Sequence, residues 1–160
     1  QIQAILQNLI SAVNNRDGQA LGGLVHPQRG LRLRHDWWNN EVKLVGGEVS
    51  RAFTDPTARD WGQADGSGQP IVGSFPDVML PLLDKDLVGA TESACGEILG
   101  GGTAGILRLP AEYEAVNFHS RYRPAPSDDA FGDWGSWAIG IEYWDGRPYL
   151  SFLVHYSREI

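Results

Sequence analysis

The segment SWAIGIEYWDGRPYLSFLVHYS, residues 136–157, decides the fold. Residues 136–144 and 148–157 are rich in aromatic and branched apolar side chains, a composition typical of long strands. Between them stands Asp145-Gly146, a dipeptide that readily adopts the positive φ angles of a two-residue hairpin turn. The segment therefore predicts two antiparallel strands joined by a tight turn.

The two-residue turn also predicts how the strands pair, starting from Trp144 opposite Arg147. One predicted face is apolar and contains Trp137, Ile139, Ile141, Leu150, Phe152 and Val154. The other predicted face is small and polar and contains Ser136, Ala138, Gly140, Glu142, Tyr149, Ser151, Leu153 and His155. Because side chains alternate between the faces of a strand, this register brings Glu142, Tyr149 and His155 together on the polar face.

Two further strands are predicted outside the hairpin. Residues 113–122 form one of them, and the polar side chains on one of its faces are Asn117, His119 and Arg121. Residues 31–35 form the other, in which leucines alternate with Arg32 and Arg34. The sequence thus predicts a sheet whose strands come mainly from the last third of the chain.

Helices are predicted before these strands. Apolar residues recur at helical spacing over 2–13, which predicts an amphipathic first helix, and Asp17 is placed to cap a short second one. Further helical turns are predicted at 48–53 and at 74–83, the latter capped by its serine. The stretch 61–70 is rich in turn-forming residues and predicts an ordered surface loop, which Trp61 and Ile71 anchor at its two ends.

This order of elements predicts one α+β domain over residues 1–160. N-terminal helices are expected to pack on a curved, mostly antiparallel sheet that ends in a C-terminal β-hairpin. The order resembles that of the NTF2-like (cystatin-like) α+β roll, in which a bent sheet wraps a helix and leaves a conical cavity. Glycine-rich residues follow Leu99, and a turn is expected at 99–102.

Composition and charge argue against several classes of function. The chain of 160 residues has a formal net charge of −7, whereas nucleic-acid affinity comes mostly from clustered Lys and Arg, so nucleic acid is not an expected partner. No apolar run approaches the roughly 20 residues of a membrane-spanning helix. The four histidines do not fall at metal-ligand spacing, and neither a metal nor a cofactor is predicted. The start at Gln1 predicts a trimmed form of a longer precursor.

Three stretches stand out in order along the chain: LVHPQRGLRLR at 24–34, WGQADGSGQPIVGSF at 61–75 and WDGRPYLSFLVHY at 144–156. They resemble the VHP-x-x-G-V-R-F, WG-x-x-DGSG-x-PI and DG-x-WYL-x-x-IIH runs of a family of uncharacterised bacterial secreted or lipoprotein domains. The tryptophan that follows the last run in that family is missing from the ending HYSREI. The resemblance implies an extracytoplasmic place, by secretion or by a lipid anchor on the precursor, and transfers no catalytic residue.

Two groups of side chains are candidates for a site. The polar sheet face is either solvated or, if it lies in a cavity, able to bind a ligand, and there His119 or His155 could act as a general base with Glu142. The second group consists of Arg32 and Arg34 with the neighbouring Trp37 and Trp38. Guanidinium groups suit carboxylate or phosphate ligands, and an exposed indole suits a sugar ring, but both patterns also fit the edge of an ordinary strand.

Two functions follow as hypotheses. The first is a non-catalytic module of the bacterial cell envelope that binds a small molecule, a glycan or a neighbouring domain. Its predicted ligand-binding residues are Arg32, Arg34, Trp37, Trp38 and Tyr149. The second is a small hydrolase or isomerase with the same roll, whose catalytic residues would be His119, Glu142 and His155. An acid and a base within hydrogen-bond reach would favour the second hypothesis.

Overall fold

The computed structural model of the chain describes residues 1–101, 107–127 and 132–157. The helices are α1 (Ile2–Asn15), α2 (Gly18–Leu24), α3 (Gly47–Ser50), α4 (Phe75–Val78) and α5 (Leu80–Leu82), with a π-helical segment at Leu83–Val88 and a 3-10 turn at Ala111–Tyr113. The strands are β1 (Leu31–Arg34), β2 (Val42–Leu44), β3 (Arg59–Gln63), β4 (Pro70–Gly73), β5 (Glu92–Cys95), β6 (Asn117–Arg123), β7 (Gly135–Trp144) and β8 (Arg147–Ser157). None of the helices among these residues is long and apolar enough to cross a membrane.

Six of the strands form one mixed sheet in the order β2-β1-β8-β7-β6-β5. The β1–β8 pair is parallel and the other pairs are antiparallel, while β3 and β4 form a separate antiparallel pair. The predicted α+β class, with two helices at the N-terminus, a mostly antiparallel sheet and a hairpin at its end, is confirmed. The remaining helices lie between strands along the chain and not before them. The turn expected at 99–102 runs into residues outside the described part of the chain.

The hairpin turn forms at Asp145-Gly146, as predicted. Both residues have positive φ angles, 49° and 77°, which are the angles that a type I′ turn requires at its two central positions. Trp144 pairs with Arg147, and the predicted register continues as far as Ile141 opposite Leu150. The local sequence is therefore sufficient to determine this end of the sheet.

A β-bulge at Ser151 then changes the register. Gly140 pairs with Phe152 rather than with Ser151, and every later pair is displaced by one residue from the prediction. Gly140 accommodates this arrangement because a Cβ there would lie 2.1 Å from the Phe152 ring. The extra residue turns the rest of β8 over, so each of its side chains emerges on the face opposite to the predicted one.

The bulge corrects the predicted composition of both sheet faces. The helix face, which packs against the helices, carries Trp137, Ile139, Ile141, Leu150, Leu153 and His155. The opposite face carries Ala138, Phe152, Val154 and Tyr156. Phe152 and Val154 were thus expected on the wrong face, and so were Leu153 and His155.

The opposite face is neither small nor solvated, which corrects a second expectation. Residues 107–116 lie across it, and Tyr113 stacks on Phe152 with ring centroids 4.3 Å apart at an interplanar angle of 11°. Tyr113 lies in the 3-10 turn rather than at the start of a strand, because β6 begins only at Asn117. Both faces of β7 and β8 are therefore covered.

The remaining local predictions agree with the structure apart from their bounds. Asp17 caps α2 by accepting the amide of Ala20, and Ser74 caps α4. The helical region after Ser74 continues beyond the predicted end into the π-helical segment. The stretch 61–70 contains the ends of β3 and β4 and the loop between them, with Trp61 fully buried as the anchor.

Candidate functional site

Arg32 and Arg34 point to the opposite face, and both guanidinium groups lie over the ring of Tyr113. Their guanidinium carbons are 4.7 and 5.4 Å from the centre of the tyrosine ring, and about one tenth of each arginine side chain is exposed. Two cations over one aromatic ring are stabilised by its negative face, more strongly when they are desolvated. These arginines thus face the protein interior and not an open surface.

Protein groups also hold both guanidinium groups by hydrogen bonds. Arg32 donates to Ser151 Oγ at 2.7 Å and to Glu142 at 3.1 Å, and Arg34 donates to the carbonyl of Asn39 at 2.6 Å. Ser151 in turn donates to Glu142. The bulge at Ser151 and the arginine strand are therefore joined by one polar network.

Tyr113 belongs to the same network through its hydroxyl, which donates to Glu41. Burial raises the pKa of Tyr113 well above its ordinary value of 10.0, and the Glu41 carboxylate raises it further. The phenol is consequently neutral at every physiological pH. It serves as a hydrogen-bond donor and a stacking surface, and proton transfer from it is disfavoured.

His155 and Glu142 do not form an acid–base pair, because they lie on opposite faces of the sheet. His155 Nε2 is instead 2.6 Å from Asp86 Oδ2, and only 2% of the His155 residue is exposed. His119 is on β6, where its Nε2 lies 3.9 Å from Cys95 Sγ. Tyr149 packs edge-on against His26. The three proposed catalytic residues are thus in three different environments.

Asp86 is the carboxylate partner that the sequence did not reveal. It lies in the π-helical segment above β7, where it contacts His155 and also accepts a hydrogen bond from Arg123 Nε at 2.7 Å. Burial by itself would raise the pKa of Asp86, but His155 and Arg123 together hold it below its ordinary value of 3.8. Gly135 makes room for the carboxylate, since a Cβ there would lie 2.0 Å from it.

An open cleft lies between the loop after β1 and the β3–β4 hairpin. Its volume is about 430 Å³, and its lining includes Trp38, Asn40, Asp60, Gly62, Gln63 and Pro70. Trp38 is 39% exposed, whereas the adjacent Trp37 packs against the cluster on the opposite face. The sequence predicts one exposed indole only if the arginine strand continues through both tryptophans, and β1 ends at Arg34, so that pattern does not explain the exposure of Trp38.

Asn39 fixes the shape of this cleft. Its side-chain amide donates to the carbonyl of Gln63 at 3.1 Å and accepts from the amide of the same residue at 2.9 Å, as a neighbouring strand would. Gly62 has a φ of +107°, and a Cβ there would lie 2.1 Å from Asn39 Oδ1. Asn40 adds a bond to the Asp60 carbonyl at 2.7 Å.

Among the predicted ligand-binding residues, only Trp38 lines this cleft. Sequence reasoning missed Asn39, Asn40 and Asp60, since nothing in a short polar loop indicates which hairpin it will contact. The glycine of the Trp61-Gly62 pair was the available signal, because such a position often marks close approach by another group. No protein-family model, curated protein or solved structure matches the chain.

Proposed function

We propose that the chain is a non-catalytic binding module that holds a small neutral saccharide in the Trp38 cleft. The observation that carries the proposal is an exposed indole fixed beside amide and carboxylate groups in an open cleft. A volume of about 430 Å³ lies within the range of small-molecule sites and suits one or two sugar rings.

The chemistry of the lining fits a sugar. The flat apolar face of a pyranose can stack on the Trp38 indole, while its hydroxyls exchange hydrogen bonds with polar groups such as those of Asp60 and Gln63. The net charge of −7 and the Asp60 carboxylate disfavour an anionic ligand. A neutral ligand is therefore favoured over a phosphorylated or acidic one.

The cleft is also preorganised, which supports binding. Asn39 makes two hydrogen bonds to one residue of β3, and Asn40 makes a third to the same strand. Because these bonds hold the loop before any ligand arrives, less conformational entropy is lost on binding. The same arrangement needs no moving part and no proton donor, as expected of a binding module.

We also propose an extracytoplasmic location at the bacterial cell envelope, and we propose that the fold is the NTF2-like roll. The three sequence stretches that resemble secreted or lipoprotein domains support the first, and the packing of α1 against the sheet core supports the second. An experimental structure whose sheet does not curve round α1 would remove the roll from the proposal.

The rival hydrolase or isomerase is the weaker hypothesis, since Glu142 and His155 lie on opposite faces.

The test is a titration of the protein with neutral mono- and disaccharides, in which the indole N–H signals in two-dimensional NMR spectra report binding. We expect Trp38→Ala to weaken binding at least tenfold, because the stacking surface is lost. Trp144→Ala is the matched control: Trp144 is 45% exposed but lies beside the hairpin turn, so binding should be unchanged. Equal effects of the two substitutions, or no binding of any neutral sugar, would contradict the proposal.

A further inference from the structure

Two histidines, each paired with an aspartate, lie side by side at one end of the helix face. Arg34 pairs with Val154 in the parallel β1–β8 ladder, so the next residues, His35 and His155, are neighbours. Their ring centroids are 6.3 Å apart at an interplanar angle of 70°. Neither histidine belongs to the Trp38 cleft.

Each imidazole has one nitrogen held by a carboxylate. His35 Nδ1 is 2.7 Å from Asp36 Oδ2, and His155 Nε2 is 2.6 Å from Asp86 Oδ2. The other nitrogen of the buried ring, His155 Nδ1, has no hydrogen-bond partner. Leaving a buried polar atom unpaired is unfavourable, and a ligand bound at that atom would recover this lost free energy.

We propose that His155 Nδ1 and His35 Nε2 form a binding site for a divalent transition-metal ion such as Zn²⁺. Metal-binding histidines almost always donate the N–H of their other ring nitrogen to a carboxylate, a backbone carbonyl or a water, which orients the ring and increases the basicity of the ligand nitrogen. Both histidines have this arrangement. Imidazole nitrogens suit zinc, copper and nickel, and they do not suit magnesium or calcium.

Binding of one shared ion requires a movement of His35. Zinc–nitrogen distances of about 2.0–2.1 Å place the two ligand nitrogens of a tetrahedral site roughly 3.3–3.4 Å apart. The ring centroids, 6.3 Å apart, are too distant for that separation, so the partly exposed His35 side chain must move toward the buried His155 when the ion binds. Asp36 and Asp86 supply negative charge behind the rings, and Arg123 offsets part of it at Asp86. The side chain of His35 is 22% exposed and gives the ion a way in.

An ion bound at this site would have exchangeable ligands in addition to the two histidines. The described residues contain no group of three or more His, Cys, Asp and Glu side chains that could hold a metal ion. Two imidazoles therefore leave the remaining coordination positions to water or to a further ligand. A zinc ion with open positions of this kind can polarise what binds there, unlike a closed structural site.

Calorimetric titration of the whole chain with Zn²⁺ at pH 7, and with Mg²⁺ for comparison, tests the proposal. We expect one Zn²⁺ ion to bind per chain, and we expect Mg²⁺ not to compete with Zn²⁺ for the site. Asp36→Asn should weaken Zn²⁺ binding about tenfold, because it removes the carboxylate behind one ligand. His35→Ala should weaken it at least tenfold, and since this side chain is partly exposed, the variant should fold even if His155→Gln does not.

His119→Ala is the matched control, because His119 and Cys95 are metal-binding side chains in contact at a different place in the sheet. We expect it to retain the wild-type Zn²⁺ affinity. The proposal is overturned if Zn²⁺ binds no more tightly than Mg²⁺. It is also overturned if His35→Ala retains wild-type affinity, or if His119→Ala loses as much affinity as His35→Ala does.

Discussion

The Asp86 carboxylate is the buried charge whose removal should affect stability most. It accepts hydrogen bonds from His155 and Arg123 at 2.6 and 2.7 Å, and its own side chain is 4% exposed. The substitution Asp86→Asn keeps the shape of the group and removes its charge. Both partners then remain in place around a neutral amide, which cannot accept a hydrogen bond through its nitrogen.

The expected loss follows from these contacts. A hydrogen bond to a charged group contributes about 1.5–3 kcal/mol, and breaking a buried ion pair by removing one partner costs about 3–5 kcal/mol. We therefore expect Asp86→Asn to lower the free energy of unfolding by about 3–5 kcal/mol. That is a large share of the roughly 5–15 kcal/mol by which a domain is stable.

Urea denaturation followed by circular dichroism and tryptophan fluorescence measures this loss. With a denaturant dependence of at most about 3 kcal/mol per molar urea, the midpoint should fall by at least about 1 M. Asp84→Asn is the control, since Asp84 pairs with Arg16 at the surface, where the two side chains are 42% and 44% exposed. Exposed pairs contribute about 0–1 kcal/mol, so the midpoint should move little.

The pH dependence provides a second check. Because the folded-state pKa of Asp86 is lower than its ordinary value, its contribution to stability is present above about pH 4 and is lost as the pH falls through the folded pKa. The wild type and Asp86→Asn should therefore differ at pH 7 and converge in acid. Equal midpoints for the Asp86 and Asp84 variants, or a difference that persists unchanged at the lowest pH, would refute this reasoning.

Two further predictions concern the backbone around the same network. Gly135→Ala should lower the urea midpoint, because its Cβ would lie 2.0 Å from Asp86, whereas Gly23→Ala in α2 meets nothing within 4 Å and should leave it unchanged or raise it. A midpoint shift of the same sign and size in both would contradict this. Deletion of Ser151 should leave Phe152 opposite Gly140 and on its present sheet face, because it removes only the extra residue of the bulge. Its cost should therefore be close to the about 1–3 kcal/mol expected for Ser151→Ala, which likewise loses the bonds to Arg32 and Glu142. A deletion variant that no longer unfolds cooperatively would show that the bulge itself is required.

The sequence was sufficient wherever a structure depends on neighbouring residues. Asp145-Gly146 forms the turn because both residues tolerate positive φ, and Asp17 and Ser74 cap helices through amides three residues away. The helical spacing of apolar residues identified α1 for the same reason. Each of these features is a local choice, and together they suffice for the α+β class.

Among the candidate site residues, one exposed indole was expected on the condition that the arginine strand continues through Trp37 and Trp38, because adjacent strand positions point to opposite faces. β1 ends at Arg34, so strand alternation does not account for the exposure of Trp38. The sequence could not indicate which cleft that ring would line. The contacts of Asn39 with Gln63, 24 residues away in the chain, determine it.

Only the tertiary structure decided which face of the sheet His155 occupies. The turn chemistry predicts a regular ladder, yet Phe152 fits over Gly140 and Ser151 bonds Arg32, which is 119 residues away in the chain. Those long-range contacts favour one extra residue in β8, and a shift of one residue turns the rest of the strand over. His155 therefore meets Asp86 and not Glu142, because alternation along a strand carries no information about a bulge that distant residues stabilise.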